Sequence, residues 1–138
     1  MGQSILPNSS LDISEADLES VSLPSKTWKI DFERKCIVGM VDELGAVEQS
    51  VYLALNTSRF RHLIFSWDYG CEHETLIGKA KDYARAEIPR LTRECLYQDD
   101  RILEVGNFVI KDIEEGLNVA FEVSTKYGDI QIETEVNI

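Results

Sequence analysis

The chain has 138 residues and is acidic, with 14 Lys and Arg against 25 Asp and Glu and a formal charge of −11. Its length is that of one domain, because domains usually contain about 100 to 200 residues. Nucleic acid and anionic membranes are excluded as partners, since affinity for both depends on Lys and Arg neutralising negative charge. No signal-peptide pattern opens the sequence, so we expect synthesis in the cytoplasm.

Residues 1–25 differ in composition from the rest. They contain four acids, no Lys or Arg and two of the three prolines. Few large apolar side chains are present to offset the entropy of ordering, which favours an acidic extended tail. Its recurring apolar residues also suit a segment that lies on a partner, and the pattern leaves both readings open. Residues 26–138 are interpreted as a single α+β domain.

The first two elements of the domain show clear periodicities. Trp28, Ile30 and Phe32 alternate with charged residues, which predicts a half-buried strand. Apolar residues at helical spacing then follow the acidic pair Asp42 and Glu43 and predict a helix that ends before Asn56.

The middle of the chain predicts a second strand and a second helix. The apolar run at 60–67 indicates a strand, followed by a turn in which Gly70 allows a positive φ. A helix is predicted over 80–98. Pro89 lies inside it, and a kink or break is expected near Ile88 because proline removes a backbone hydrogen bond.

After Asp99-Asp100 the period changes to two. Strands are predicted at 102–113, 117–125 and 130–136, joined by short turns, and the middle strand has one apolar and one polar face. Turns this short exclude parallel crossovers. The fold class is therefore α+β, with two helices on one face of a mainly antiparallel sheet and a C-terminal three-strand meander.

Few residues suggest catalysis or metal binding. The nearest approach to a metal cluster is Cys71-Glu72-His73-Glu74, which lacks the second ligand pair of a closed zinc site and is interpreted as a polar loop. Cys36, Cys71 and Cys95 are interpreted as reduced thiols without a cue for an activating base. No phosphate-binding or dinucleotide motif is present, so no cofactor is predicted. A pair of catalytic carboxylates stays open because 25 acids allow many pairs.

Two segments suggest interaction with other proteins. The strand at 130–136 ends the meander and is expected at a sheet edge, where another chain can add a strand. Its Glu133 and Glu135 could equally be charges that prevent such pairing. The segment Gln98-Asp99-Asp100-Arg101 is either a helix-ending turn or a junction with a charge-assisted bond between an acid and Arg101.

Several stretches in one order resemble a known family: residues 51–70, residues 98–102 and the turn at 127–129. They are similar to the baseplate wedge and sheath initiator proteins of contractile phage tails and phage-tail-like bacteriocins, of the XkdS-like prophage type. The resemblance spans about residues 27–138. It implies a non-catalytic protein that joins the baseplate wedge to the sheath and nucleates sheath assembly by strand addition.

The resemblance also implies partners and places. The partners are the sheath protein, the baseplate wedge proteins and the tail tube protein, with several copies around a sixfold axis and a monomer when free. Assembly is expected in the host cytoplasm, followed by residence in the baseplate of a phage tail or bacteriocin particle. The alternatives are a lysozyme-like peptidoglycan hydrolase that uses a Glu/Asp pair and a soluble adaptor of similar fold.

The resemblance assigns residues by matching positions. Many relatives carry Glu-Pro-Arg at the end of the long helix, a signature associated with contacts to the wedge. This chain has Asp99, Asp100 and Arg101 there, so only the Arg is kept, and the resemblance implies a wedge contact at these three residues, above all at Arg101. The similar Glu87-Ile88-Pro89-Arg90 lies too early. Strand addition falls on four residues, Ile130, Ile132, Thr134 and Val136. Trp67 and Gly70 match a structural turn.

Overall fold

The computed structural model describes residues 24–138, and the acidic tail predicted for 1–25 lies almost wholly outside them. In chain order the elements are β1 (Thr27–Asp31), β2 (Cys36–Val41), α1 (Glu43–Leu55), α2 (Lys81–Leu96), β3 (Ile102–Ile113), β4 (Gly116–Thr125) and β5 (Gly128–Asn137), with a short 3-10 helix at His73–Leu76 before α2. Strands β1 and β2 form an antiparallel pair. Strands β3, β4 and β5 form an antiparallel meander in that order. The α+β prediction is confirmed.

The meander follows the predicted alternation. The four apolar residues of β4 predicted to share a face are all buried: Leu117, Val119, Phe121 and Val123. Helix α2 covers this face at β3 and β4, and α1 packs against β5, β1 and α2. One core therefore joins both helices to the meander. Within residues 24–138 neither helix is long and apolar enough to cross a membrane.

Helix α1 begins where the sequence indicates. Asp42 is its N-cap, and the Asp42 carboxylate accepts a hydrogen bond from the Glu43 N–H at 2.7 Å. Such a bond satisfies one of the backbone donors that the first turn leaves without a helical partner. Val47 and Val51 then face the core with almost no exposure.

Helix α2 does not break at Pro89. The helix runs without interruption from Lys81 to Leu96. Of the kink or break expected near Ile88, the break is therefore wrong and the kink stays a prediction. The carbonyl that loses its i+4 donor belongs to Arg85, an exposed residue, whereas Ile88 and Leu91 on either side of the proline are buried. Core contacts on both sides of the proline hold the helix together.

The predicted strand at 60–67 is also wrong. This segment is a loop whose ends meet, because the Cys71 N–H donates to Thr57 O at 2.8 Å and the Arg59 N–H donates to Cys71 O at 3.1 Å. The loop is closed on itself, and its apolar residue Leu63 is fully exposed. Phe60 adopts a φ of 66°, which an extended strand does not allow. Strand β2 was not predicted, because five of its six residues are exposed and show no alternation.

Strand β1 is attached to α1 by one amide side chain. The Ile30 N–H donates to Gln49 Oε1 and Gln49 Nε2 donates to Trp28 O, both at 2.8 Å. In an extended strand the carbonyl of one residue and the N–H two residues later point the same way. Gln49 thus occupies the position of a neighbouring strand on the side of β1 that faces α1.

We predict that Gln49→Ala lowers the free energy of unfolding by about 1 kcal/mol, because two backbone groups lose their partner. Gln49→Glu should lose at least as much, since its carboxylate still accepts from the Ile30 N–H but sets a second acceptor oxygen against Trp28 O, which repels it. Urea denaturation measures both variants. Amide exchange at Ile30 should accelerate in Gln49→Ala and stay slow in Gln49→Glu, and equal protection in both would contradict the proposed bond pattern.

Candidate functional site

Strand β5 has no strand on its outer side within residues 24–138. All ten of its residues pair with β4 without a register shift, from Gly128 opposite Thr125 to Asn137 opposite Gly116. The Thr125–Gly128 pair closes a two-residue turn, so these two residues must exchange both of their backbone hydrogen bonds. Hydrogen-bonded pairs then alternate along the ladder.

The alternation of hydrogen-bonded and non-hydrogen-bonded pairs decides which backbone groups of β5 point outward. The even-numbered residues from Ile130 to Val136 bond to β4. The outward N–H and C=O groups belong to Asp129, Gln131, Glu133 and Glu135. Strand addition was predicted at Ile130, Ile132, Thr134 and Val136, the core-facing residues of this strand, whose backbone groups bond to β4. The length of the Lys126-Tyr127 turn was the signal that could have shown the phase.

The side chains of β5 alternate as its position requires. Ile130 and Val136 are buried, and Ile132 and Thr134 are half-buried against the core. The three acids Asp129, Glu133 and Glu135 are exposed on the opposite face. These acids stand perpendicular to the hydrogen-bonding edge, so they leave its backbone groups accessible.

Helix α2 supplies partners to one residue at the opposite edge of the meander. Val105 of β3 points its backbone groups away from β4. Its carbonyl accepts from Arg93 Nε at 3.0 Å, and its N–H donates to the Tyr97 hydroxyl at 3.4 Å. Two side chains therefore replace a neighbouring strand there, much as Gln49 does at β1.

The outer edge of β2 is a poorer template than β5. Its pairing with β1 contains a register shift, and Gly39 within it has a φ of 129°. A regular ladder presents evenly spaced donors and acceptors, whereas an irregular one does not. Of the edges in the described part of the chain, β5 offers the longest regular set of accessible backbone groups.

The corner between α2 and β3 contains a bidentate ion pair. Arg101 donates from Nε to Asp99 Oδ1 at 2.8 Å and from a terminal nitrogen to Asp99 Oδ2 at 2.6 Å. Ser50 of α1 donates to the same carboxylate at 3.2 Å. The charge-assisted bond considered for this segment is present between Asp99 and Arg101. The bond from Ser50 connects α1 to this junction of α2 and β3.

Burial and hydrogen bonding act in opposite directions on this carboxyl group. Burial alone would raise the pKa of Asp99, but hydrogen bonds and charge from Arg101 hold the pKa below its ordinary value. Asp100 differs: its side chain is exposed, and its one ion-pair contact is to Lys126 Nζ at 4.0 Å. The corner thus combines a fixed pair with an accessible acid.

A cavity of about 570 Å³ lies beside this corner, between residues 24–27, α1 and the end of α2. Its wall includes Asp99, Asp100 and Arg101. Apolar side chains of both helices complete the lining, among them Ala54 and Leu96. The corner and the cavity together form a recess with a charged rim.

Comparison with known proteins decides the family. The family model of the contractile injection system sheath initiator matches residues 24–128, which is most of the described chain. The chain belongs to this family. It is also 36% identical over 128 residues to the phage-like element PBSX protein XkdS of Bacillus subtilis (strain 168), covering 89% of this chain and 91% of that protein. The resemblance to the XkdS-like prophage type is confirmed, and with it a structural role in a contractile tail.

In this sheath initiator, the turn residues Trp67 and Gly70 lie in the closed loop. Gly70 has a φ of 100°, and a Cβ there would stand 2.7 Å from Thr57 O, so only glycine fits. The Trp67 carbonyl accepts from Arg59 Nε at 2.8 Å while its ring is largely exposed. Arg59 also pairs with Asp68 and Glu72 and so holds the loop together.

The buried thiols show no arrangement suited to metal binding. Cys71 and Cys95 are both buried. The pKa of Cys95 is raised by its hydrogen bond to Cys71 and by burial, which keeps that thiol protonated. His73 Nε2 lies 3.2 Å from Thr92 Oγ1. Among residues 24–138 no group of three His, Cys, Asp or Glu side chains could hold a metal ion.

We predict that Arg101→Ala lowers the free energy of unfolding by about 1–3 kcal/mol at neutral pH, because it leaves the partly buried Asp99 without its cation. The pKa of Asp99 is lowered from 3.8 in the folded state. The stabilisation is therefore complete above about pH 4 and is lost as the pH falls through the folded pKa. Urea denaturation at pH 7 and at pH 3 measures the change, and the difference between variant and parent should shrink in acid.

The matched control is Asp100→Asn, whose exposed side chain should contribute less than about 0.5 kcal/mol. A loss in Asp100→Asn as large as that in Arg101→Ala would show that the corner depends on general charge and not on the bidentate pair.

Proposed function

We propose that this sheath initiator joins the baseplate wedge to the sheath and nucleates sheath assembly by offering the outer edge of β5 to an extended segment of a sheath subunit. The observation that carries the proposal is the regular ladder of β5, with outward backbone groups at Asp129, Gln131, Glu133 and Glu135. Added strands gain main-chain hydrogen bonds from such an edge, and alternating side chains supply specificity. The role is structural, without a catalytic residue.

The acids of β5 fit this role better than a blocking role. Their side chains leave the hydrogen-bonding plane of the strand, so an incoming chain still reaches the backbone groups. Two copies of β5 placed edge to edge would bring like charges together, which is destabilising. A segment with Lys or Arg at alternate positions would instead form cross-strand ion pairs. The charges therefore select a basic sheath segment and favour a monomer before assembly.

The wedge contact is proposed at the corner of Asp99, Asp100 and Arg101. The bidentate pair fixes the backbone of the corner, and the exposed Asp100 stands at the rim of the adjacent cavity. A wedge protein would contact Asp100 and the remaining N–H donors of Arg101. The tail tube protein would be the inner neighbour, with several copies of the initiator around a sixfold axis. Assembly would take place in the host cytoplasm and leave the protein in the baseplate of the finished particle.

Glu133→Pro tests the strand addition. Its N–H points outward, so proline removes an edge donor without removing a bond to β4. We expect particles with tube and baseplate whose attached sheath falls at least about tenfold, counted by electron microscopy. Glu133→Ala is the matched control: it loses the carboxylate and its bond to Asn118 but keeps the N–H, and should retain most sheath. Normal sheaths on particles containing folded Glu133→Pro would disprove pairing at β5.

Asp100→Lys tests the wedge contact. Because Asp100 is exposed, the change should leave stability within about 0.5 kcal/mol of the parent. We expect fewer copies per baseplate, measured by quantitative mass spectrometry of purified particles. Glu115→Lys, an equal change of charge at the exposed β3–β4 turn, should incorporate normally. Equal incorporation of both variants would place the wedge contact elsewhere.

A further inference from the structure

A groove of about 430 Å³ runs beside the outward groups of β5. One side is formed by Gln131, Ile132 and Glu133, and the other by β1 and the exposed face of α1. It therefore lies where a strand added to the middle of β5 would continue the sheet toward β1.

Two aromatic rings line the helix side of the groove. Phe32 and Tyr52 pack with their centroids 4.4 Å apart, and they remain 44% and 47% exposed. Large rings that pack together yet stay half in water gain from being covered by an apolar side chain. Ile132, the half-buried residue of β5 at the groove, faces the same side of the sheet as the core.

The far side of the groove offers no second ladder at its centre. Trp28 O and Ile30 N–H of β1 are already bonded to the Gln49 amide, at 2.8 Å each. An extended segment in the groove would find accessible backbone partners at Gln131 and Glu133 of β5. It would find only side-chain contacts opposite them.

From these observations we infer that the sheath segment that pairs with β5 lies in this groove, with an apolar side chain opposite Ile132 seated on the Phe32–Tyr52 pair. This inference rests on the proposed function and adds its specificity: Tyr52 and Phe32 are partner-binding residues, and Gln49 is a positioning residue that keeps the α1-facing side of β1 from pairing with the segment.

The alternation of a strand then defines the chemistry of the segment. Cross-strand neighbours share a face of the sheet, so the residue opposite Ile132 points toward α1 and the rings. Its two neighbours are opposite Gln131 and Glu133 and point to the acidic outer face. The segment therefore has an apolar residue (Leu, Ile, Val or Met) at its central position and a basic or polar residue on each side of it.

The test measures the affinity of the full-length protein for purified sheath protein of the same particle. Tyr52→Ala should weaken binding by about tenfold, because it removes half of the aromatic pair. Tyr52→Phe keeps the ring and should bind like the parent. Tyr83→Ala is the matched control, a tyrosine that is 54% exposed on α2 and does not line the groove, and it should bind like the parent. Urea denaturation of each variant identifies any general loss of folding.

Glu133→Pro, measured in parallel, separates this inference from the proposed function. Loss of binding in both Glu133→Pro and Tyr52→Ala supports the groove. Loss in Glu133→Pro with unchanged binding in folded Tyr52→Ala overturns the groove and leaves pairing at β5 standing. Unchanged binding in folded Glu133→Pro overturns both. Equal weakening by Tyr52→Ala and Tyr83→Ala would also reject a specific aromatic seat.

Discussion

The backbone groups at the edges of the sheets are the constraint on which this structure depends. Each outward N–H and C=O must bond to protein or water, and an uncovered regular edge is a template for another chain. At β3 the groups of Val105 are covered by Arg93 and Tyr97 of α2. At β1 they are covered by Gln49 of α1. The two helices thus contribute side chains that bond to backbone groups at two edges, as well as a large part of the core.

The same packing keeps β5 regular while it stays uncovered on one side. Its core-facing residues Ile130 and Val136 are buried, and its partner β4 contributes four buried apolar residues to the same core. At the corner, Asp99 bonds to both Arg101 and Ser50, which ties α1 to the start of β3. An edge strand held this firmly presents its outward N–H and C=O groups at fixed spacing. Most of the conformational entropy lost on pairing is therefore lost by the incoming segment.

Periodicity predicted the parts of the fold that have two distinct faces. Strand β4 alternates and helix α1 has a helical apolar stripe, and both appear where the sequence indicates. The strand predicted from the apolar run at 60–67 was wrong because this segment is a loop closed by backbone hydrogen bonds between Thr57, Arg59 and Cys71. No local sequence pattern shows such contacts. Strand β2 is exposed on both faces and so lacked any alternation. The edge position of β5 was predictable, whereas its outward phase depends on a turn only two residues long.

The amide of Gln49 also limits how many strands can be added in the groove. It bonds to the backbone of β1 as a peptide group of a neighbouring strand would, so an added strand can form backbone hydrogen bonds with β5 but not with the centre of β1. On the proposed role, each copy then accepts one segment. On that role, one side chain limits the groove of each copy to a single added strand.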